Sequence, residues 1–396
     1  MNMNEQMKES EESILHTYNR FPVVFEKGQG CYLYDSEGKE YLDFAAGIAV
    51  NALGYHYPGY DEALKAQIDK LMHISNLYYN EPIIEAGAKL VKASKMSKAF
   101  FTNSGTEAIE GALKAAKKYA YVRDGHADHE IIAMNHSFHG RSIGALSVTG
   151  TAHYREPFEP LMGGVKFADF NDLESVKAQI TDKTCAIITE VVQGEGGIYP
   201  AKKEFLEGLR QICDEKDIML IFDEIQCGMG RTGHYFAWQA YGVQPDIMTS
   251  AKALGCGVPV GAFVLSEKAA KASLEPGDHG TTYGGNPFVC AAVSKVFEIY
   301  ENDKIIEHVQ EMTPYLEQKL DEIVAKHECA ATRRGMGFMQ GIVIQGRPVG
   351  EVVKAALAKG LLVISAGSDV LRIVPPLVIT KEHIDKMAAI LDECME

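Results

Sequence analysis

Short apolar runs alternate with helical patterns through the middle of this chain, and this alternation restricts the possible folds more than any other feature of the sequence. The runs are continuously apolar, as is typical of strands that helices cover on both faces. A repeated strand–helix order predicts an open α/β sheet. The strands are predicted at residues 98–102, 131–135, 185–192, 218–222, 247–249 and 259–266.

The two ends of the chain differ from this middle part. Residues 31–43 have the pattern of a hairpin, and a long helical pattern covers residues 288–303. A chain of 396 residues is long enough for two domains around a substantial core. We therefore expect a large domain over residues 55–300 with a mostly parallel central sheet, and a smaller α+β domain formed by residues 1–54 and 301–396.

Charge and hydropathy exclude several classes of partner. The chain has 54 acidic and 39 basic residues and a formal net charge of −15, whereas nucleic acids and anionic membranes bind clustered Lys and Arg. No apolar run reaches the roughly 18 residues that a membrane span requires, and the polar, acidic N-terminus is unlike a secretory signal. We expect a cytoplasmic protein that binds small molecules and neither nucleic acid nor membrane.

The cysteines give no sign of a disulfide framework or of a metal site. There are eight of them, scattered along the chain without any C-x-x-C pair. This distribution favours reduced thiols in a cytosolic protein. We therefore predict neither disulfides nor a bound metal.

The segment Phe-Phe-Thr-Asn-Ser-Gly-Thr-Glu-Ala, residues 100–108, joins a predicted strand to a predicted helix. Ser104 and Glu107 have the spacing of a capping box at a helix N-terminus. A helix that begins after a strand and a glycine-containing turn directs unpaired N–H groups at an anion, and phosphate is the usual ligand. An ordinary capped helix has the same pattern, so this segment alone does not define a site.

Asp223 ends the apolar run at residues 218–222. The carboxyl ends of such strands are where α/β sheets bind ligands. A carboxylate at this position must be paired or hydrogen-bonded, because burying it alone is costly. It could keep a pyridinium nitrogen protonated, and capping the next loop is the alternative.

Lys252 follows another predicted strand and has small and apolar neighbours. Desolvation lowers the pKa of a lysine and makes its amine a nucleophile toward an aldehyde. Taken alone, this position of Lys252 favours an ordinary loop lysine. An anion-binding helix start, a strand-end Asp and a shielded Lys together indicate a site for pyridoxal 5′-phosphate (PLP).

Five motifs, in order along the chain, closely resemble the class III PLP-dependent aminotransferases and extend the resemblance from about Tyr18 to the C-terminal domain. The motifs are Ser104-Gly-Thr-Glu-Ala, Phe138-His-Gly-Arg141, Asp223-Glu-Ile-Gln226, Lys252 and Gly280-Thr-Thr-Tyr-Gly-Gly-Asn-Pro287. Within the class, the segments that begin at Gly47 and His73 are most similar to the acetylornithine aminotransferases. The resemblance implies the PLP-dependent transferase fold type I.

This resemblance implies a role for each residue around the cofactor ring. Lys252 would bind the cofactor aldehyde and then move a proton between substrate and cofactor. Asp223 would pair with the pyridinium nitrogen, and Gln226 would hydrogen-bond the ring hydroxyl. Phe138 would stack on the ring, and Ile225 would pack beneath it.

The resemblance also implies how the cofactor phosphate is held and how subunits are arranged. Gly105 and Thr106 would bind the phosphate through backbone N–H and hydroxyl groups. Thr282 would reach the same phosphate from a second subunit. The implied assembly is a homodimer with shared active sites.

Substrate selection requires local positive charge in an acidic chain. Arg141 resembles the arginine that binds the carboxylate distant from the reacting amine. Arg372 resembles the one that binds the α-carboxylate of glutamate, and Glu195 would mask it when an ω-amine substrate is bound. A planar guanidinium suits bidentate carboxylate binding. Thr281, from across the dimer interface, and Tyr18 complete the implied substrate contacts.

The implied reaction is transfer of the δ-amine of N2-acetyl-L-ornithine to 2-oxoglutarate, giving N-acetyl-L-glutamate 5-semialdehyde and L-glutamate, as in arginine biosynthesis. Succinylornithine, ornithine and 4-aminobutyrate are alternative amino donors, because motifs around the cofactor do not separate them. A non-catalytic relative that keeps the fold for binding would be a different class of protein, but Lys252 and Asp223 are both present. The sequence departs from the pattern of its relatives at two positions. Ile48 stands where ornithine δ-aminotransferases have a tyrosine, and Cys256 replaces a glycine that is common in the loop after the lysine.

Overall fold

The computed structural model describes residues 2–396, and within them the chain forms seventeen strands. The strands belong to sheets of four, seven and four strands and to one two-stranded ribbon. In chain order they are β1 (Phe25–Gln29), β2 (Tyr32–Asp35), β3 (Glu40–Asp43), β4 (Lys98–Thr102), β5 (Glu130–Met134), β6 (Val165–Ala168), β7 (Thr184–Glu190), β8 (Val192–Gln193), β9 (Tyr199–Pro200), β10 (Met219–Asp223), β11 (Ile247–Ser250), β12 (Gly261–Leu265), β13 (Ala330–Met336), β14 (Met339–Ile344), β15 (Leu361–Leu362), β16 (Ile364–Ala366) and β17 (Val370–Ile373).

Fifteen α-helices lie in the same part of the chain, and two short 3₁₀ helices cover Glu156–Phe158 and Lys252–Leu254. The α-helices are α1 (Met3–Ser13), α2 (Ala46–Ala49), α3 (Tyr60–Lys70), α4 (Glu81–Ser94), α5 (Gly105–Asp124), α6 (Ile143–Ser147), α7 (Ala152–Arg155), α8 (Leu173–Gln179), α9 (Lys203–Lys216), α10 (Trp238–Tyr241), α11 (Glu267–Lys271), α12 (Pro287–Asn302), α13 (Ile305–Lys326), α14 (Val349–Ala358) and α15 (Lys381–Met395).

The seven-stranded sheet has the order β4-β12-β11-β10-β7-β5-β6. Its strands run parallel except β12, which is antiparallel to both neighbours. This confirms the predicted α/β architecture with a mostly parallel sheet. Each predicted strand agrees with an observed one to within two residues at either end. The sequence pattern does not predict β6, because this edge strand is only four residues long and a lysine interrupts its apolar residues.

The apolar runs are buried because helices cover both faces of this sheet. Every residue of β7, β10 and β12 is buried. Successive residues of β10 belong to two different cores: Ile221 packs in a cluster with Ile109 of α5, and Phe222 in a cluster with Leu209 of α9. Burying each such side chain contributes about 1.5–3 kcal/mol. The two cores hold the carboxyl end of β10 in a fixed position.

Segments from both ends of the chain build the two four-stranded sheets. β15 extends the β1-β2-β3 sheet by pairing in parallel with β3, so that Leu361 lies opposite Leu42. The other sheet, β13-β14-β17-β16, is antiparallel and carries Arg372 on β17. Within residues 2–396 no helix is long and apolar enough to cross a membrane.

The turn labelled α2, Ala46–Ala49, has a left-handed backbone, with φ between 49° and 67° at all four residues. For residues other than Gly this conformation costs roughly 1–2 kcal/mol each. The buried Asp43 stabilises the turn, because its Oδ1 accepts hydrogen bonds from the N–H groups of Ala45 (2.9 Å) and Ala46 (2.8 Å). Val50, the next residue, lines the cavity described below.

Candidate active site

A cavity of about 500 Å³ opens at the carboxyl ends of the parallel strands β10 and β11. This is the edge at which open α/β sheets bind ligands. Eight residues predicted from the sequence line it: Gly105, Thr106, Phe138, Arg141, Asp223, Ile225, Gln226 and Lys252. The fold therefore brings together four segments that are far apart in the sequence.

The N-terminus of α5 faces this cavity, and its capping agrees only in part with the predicted pattern. Ser104 accepts a hydrogen bond from the N–H of Glu107 (3.3 Å), as predicted. The Glu107 carboxylate instead accepts from the backbone N–H and the side-chain amide of Asn103 (2.7 and 2.8 Å), since Asn103 offers two donors. A Cβ at Gly105 would lie 2.9 Å from Cδ1 of Ile225, so glycine keeps the start of the helix open.

Asp223 is buried at the end of β10 and has three hydrogen-bond partners. Its Oδ2 lies 2.7 Å from Nδ1 of His139, and its Oδ1 accepts from Thr249 Oγ1 (3.1 Å) and from the N–H of Ile225 (3.0 Å). Burial disfavours a charged ring, but the hydrogen bond to Asp223 and the charges of Asp223 and Glu190 together raise the pKa of His139. The pair holds the Asp223 carboxylate in one orientation at the cavity wall.

His139 and Glu190 are candidate functional residues that the sequence argument missed. His139 stands in a recognised motif, but its carboxylate partner is 84 residues away. Glu190 accepts hydrogen bonds from the N–H groups of Phe138 (3.3 Å) and Gly194 (3.0 Å), and so ties the Phe138 segment to the loop that carries Glu195. Burial raises the pKa of Glu190 to about 7. The available signal was a carboxylate inside the largely apolar run predicted as a strand at residues 185–192.

Lys252 comes two residues after β11, and its side chain lines the cavity. Its backbone is left-handed, with φ of 50°, a strained conformation that occurs preferentially at functional sites. Burial lowers the pKa of Lys252 to about 8, and the negative charges of Glu195 and Asp223 limit this effect. Part of the amine is therefore unprotonated near neutral pH, as a nucleophile toward a carbonyl group requires.

Arg372 is only 3% exposed and forms a bidentate ion pair with Glu195. One guanidinium nitrogen donates to Oε1 of Glu195, and the other donates to Oε2 at 3.2 Å. Gln226 contacts both partners, accepting from Arg372 (3.1 Å) and donating to Glu195 (3.3 Å). Burial opposes ionisation of Glu195, but the charge and hydrogen bonds of Arg372 lower the pKa of its carboxyl group. The pair implied by the sequence is thus formed, and Glu195 masks Arg372.

Five predicted residues do not line this cavity: Glu195 and Arg372, which contact the lining residue Gln226, and Tyr18, Thr281 and Thr282. Tyr18 lies between α1 and β1 and is 71% exposed. Thr281 accepts a hydrogen bond from Nδ2 of the cavity residue Asn103 (3.2 Å). Thr282, the next residue, is exposed. Within residues 2–396 the cavity is therefore formed without these five side chains.

Asp124, His126 and His129 come nearest to a metal site among the described residues, since their potential ligand atoms lie within 4.8 Å of one another. The Asp124 carboxylate already accepts two hydrogen bonds from Arg123 and lies 2.9 Å from Nε2 of His129. The positively charged guanidinium of Arg123, hydrogen-bonded to the same carboxylate, would repel a metal cation. The hydrogen bonds to Asp124 explain why these side chains lie close together, and we therefore assign no metal site to the three residues.

The structure shows how a cysteine is accommodated at position 256, where a glycine is common. Its backbone is left-handed, with φ of 47°, a conformation that glycine adopts without strain. The thiol accepts a hydrogen bond from the N–H of Leu53 (3.1 Å), and burial raises its pKa to about 11. Cys256 therefore joins the loop after Lys252 to the N-terminal part of the chain. All eight cysteines are free, in agreement with the predicted reduced thiols.

The sequence model of the family Aminotransferase class-III matches residues 14–395. The chain therefore belongs to the class III aminotransferases, and it is a transferase enzyme. The lysine of lowered pKa, the strand-end aspartate and the two arginines described above agree with that membership.

Relatives and solved structures resemble the chain over nearly its full length. The acetylornithine aminotransferase of Clostridium acetobutylicum is 47% identical over 388 residues, which are 98% of this chain and 100% of that protein. The acetylornithine aminotransferase of Methanocaldococcus jannaschii is 48% identical over 383 residues, 96% of this chain and 95% of that protein. The ornithine aminotransferase of Toxoplasma gondii, crystallised in the presence of oxidised glutathione with PLP at partial occupancy, has a TM-score of 0.95 at 28% identity, covering 100% of this chain and 94% of that chain.

Proposed function

We propose that this enzyme transfers the δ-amino group of N2-acetyl-L-ornithine to 2-oxoglutarate, giving N-acetyl-L-glutamate 5-semialdehyde and L-glutamate, a reaction of arginine biosynthesis. The observation that carries the proposal is the Glu195–Arg372 pair in an active site that also contains Arg141. Such a site can bind an amine with one remote carboxylate as well as a dicarboxylate. The two relatives named acetylornithine aminotransferase, at 47% and 48% identity, support the acetylated donor.

Pyridoxal 5′-phosphate is the cofactor of this class, and the residues around the cavity fit it. Gly105 and Thr106 offer N–H groups and a hydroxyl at the start of a helix, which suits a phosphate. Asp223, oriented by His139, suits a pyridinium nitrogen. When bound, the cofactor supplies an aldehyde that accepts the amino group and a ring that withdraws electrons from the carbon bearing the amine.

Lys252 moves the proton in this proposal. Its Nζ, with a pKa of about 8, takes the proton from the substrate carbon that bears the amine and delivers it on the cofactor side. Phe138 and Ile225 would hold the cofactor ring between them, and Gln226 would hydrogen-bond the ring hydroxyl. All of these side chains line the same cavity.

Two arginines select the substrates through their carboxylates. Arg141 binds the carboxylate remote from the reacting amine in both half-reactions. Arg372 binds the α-carboxylate of glutamate once Glu195 has moved away, since a guanidinium fork matches a carboxylate in two hydrogen bonds. While Glu195 is in place, the charge of Arg372 is neutralised and the site accepts an ω-amine that has no adjacent carboxylate.

A homodimer with shared active sites is part of the proposal. Thr281 and Thr282 lie beside an exposed apolar surface. Within it, a hydrogen bond from Asn76 Nδ2 to the carbonyl of Gly284 (2.8 Å) joins two segments of the chain. The exposed side chains of this surface are Met72, Leu77, Tyr78, Tyr79 and Tyr283. Apolar surfaces of this kind mark protein–protein interfaces, and a two-fold pair is the commonest solution. A second copy would receive the two threonines at its own cavity.

The domain division and the cellular location belong to the same proposal. The large cofactor-binding domain covers residues 55–300, and residues 1–54 and 301–396 form the small domain. The pairing of β3 with β15 supports joining the two ends in one unit. The protein is a cytoplasmic enzyme of amino-acid biosynthesis.

Specificity constants for four amino donors test the proposed reaction. The purified holoenzyme is assayed with N2-acetylornithine, succinylornithine, ornithine and 4-aminobutyrate, each with 2-oxoglutarate as acceptor, and Lys252→Ala serves as the inactive control. We expect the largest kcat/KM for N2-acetylornithine. A larger value for any other donor would overturn the acetylated substrate but not the enzyme class. A holoenzyme that transaminates none of the four would support a binding protein instead.

A further inference from the structure

The guanidinium of Arg141 lies against two aromatic rings at the cavity wall. Its central carbon is 3.9 Å from the ring centroid of Tyr154 and 5.5 Å from that of Phe138. The two rings meet edge to face, with centroids 6.0 Å apart and planes at 82°. Tyr154 therefore makes the closer of two cation–π contacts.

Arg141 has no carboxylate partner within residues 2–396, although the chain has 54 acidic residues. Arg372, the other arginine of the site, is paired with Glu195. An aromatic face attracts a guanidinium without occupying the N–H donors at its edge. Arg141 is thus held in place while its hydrogen-bonding fork stays available to a ligand.

Tyr154 is itself held in position by the residue that follows it. Arg155 donates a hydrogen bond from Nη1 to the carbonyl of Thr149 (2.5 Å). Its guanidinium carbon also lies 4.0 Å from the ring centroid of Phe167 on β6. These contacts attach α7, the helix that carries Tyr154, to the edge of the central sheet.

Tyr154 also connects the two parts of the substrate site. Together with Glu195 it lines a second cavity, of about 800 Å³. Tyr154 is therefore in contact with Arg141 and also lines the cavity to which the Glu195 loop contributes. Within residues 2–396 the Tyr154 hydroxyl forms no hydrogen bond, so the contact with Arg141 depends on the aromatic face.

We propose that Tyr154 is a positioning residue that sets the affinity of Arg141 for the carboxylate remote from the reacting amine. This inference rests on the proposed function, in which Arg141 binds that carboxylate. Tyr154 acts through Arg141 and is not among the residues that line the cavity with Lys252. The ligand class is an ω-amino acid whose carboxylate reaches Arg141 when its amine is at Lys252.

Two substitutions at this position test the inference in the holoenzyme. Tyr154→Phe keeps the aromatic face, and we expect KM for N2-acetylornithine within about twofold of the parent. Tyr154→Leu removes the face, and we expect KM to rise about five- to tenfold with kcat within about twofold. Pentylamine, which has no carboxylate, controls for the shape of the pocket, and its kcat/KM should change by less than about twofold. Equal losses with both amines, or no change in KM, would overturn the inference.

A double-mutant cycle tests whether Tyr154 acts through Arg141. In an Arg141→Ala background, Tyr154→Leu should raise KM no further, because the positioned group is absent. Independent, multiplicative effects of the two substitutions would overturn the inference. If the parent enzyme prefers 4-aminobutyrate to N2-acetylornithine, the proposed function is wrong. The KM values of the parent and the Tyr154 variants are then compared with 4-aminobutyrate as the amino donor. A failure of the proposed function can therefore be distinguished from a failure of the inference about Tyr154.

Discussion

Nδ1 of His139 lies 2.7 Å from Oδ2 of Asp223, and both side chains are buried. The two residues belong to different segments, one in the loop after β5 and the other at the end of β10. In the proposed function Asp223 pairs with a pyridinium nitrogen, and this role needs a fixed orientation, since a misplaced catalytic group loses much of its effect. His139, itself a residue of the cavity wall, provides that orientation through this contact.

Removing the His139 ring should impair the enzyme without touching the substrate. For His139→Leu we expect kcat/KM to fall about 10- to 100-fold, and the free energy of unfolding to fall by about 3 kcal/mol because Asp223 loses its buried partner. His139→Asn keeps a hydrogen-bond donor and should recover part of both losses. Steady-state kinetics and urea denaturation measure the two effects. Normal activity in the Leu variant would contradict an orienting role.

The same pair predicts a dependence of stability on pH. The pKa of His139 is raised above its ordinary value of 6.5. A group whose pKa is raised on folding contributes its full stabilisation below the unfolded pKa and loses it as pH rises through the folded pKa. The difference in free energy of unfolding between parent and His139→Asn should therefore be largest below about pH 6.5 and shrink at higher pH. Denaturation at several pH values checks the sign, and a difference that grows with pH would argue against it.

Lys252 should react as an amine of lowered pKa. In protein freed of cofactor, we expect the rate of combination with pyridoxal phosphate to rise with pH through about 8 and then to level off, because only the unprotonated amine attacks an aldehyde. Stopped-flow absorbance follows the reaction, and Lys252→Ala should lack this phase. A rate that keeps rising toward pH 10 would indicate an ordinary lysine.

The Glu195–Arg372 pair should govern the two half-reactions differently. Arg372→Ala should lower kcat/KM for glutamate about 100-fold and that for N2-acetylornithine less than about fivefold, because only glutamate presents a carboxylate there. Glu195→Gln leaves Arg372 charged and unmasked, and it should shift the ratio of specificity constants about tenfold toward glutamate. Single-turnover absorbance changes measure each half-reaction separately. Equal losses in both half-reactions would refute the switch.

Most of the fold could be predicted from the sequence because its central strands are continuously apolar. A run such as β10, buried at all five residues, has few alternatives to a covered strand. Lys252 and Asp223 could be found for a related reason, since each follows such a run. The carboxyl ends of parallel strands meet at one edge of the sheet, so residues after them become neighbours.

The contacts that orient the site could not be predicted in this way. His139 is recognisable as a candidate only once Asp223 is placed beside it, and Tyr154 only once Arg141 is. The left-handed turn Ala46–Ala49 gives little local signal either, because only one of its four residues is a glycine. Its conformation depends on the buried Asp43, that is, on the tertiary structure.

The parallel pairing of β15 with β3 has a consequence for the order in which the protein folds during its synthesis. Roughly 300 residues separate the two strands, so at about 5–20 residues per second β3 leaves the ribosome about 15–60 s before its partner is made. All seven strands of the central sheet are translated within that interval. The central sheet can therefore form first, while the β3 edge of the N-terminal sheet stays unpaired until β15 has been made. The small N-terminal sheet is therefore completed only after the whole central sheet has been translated.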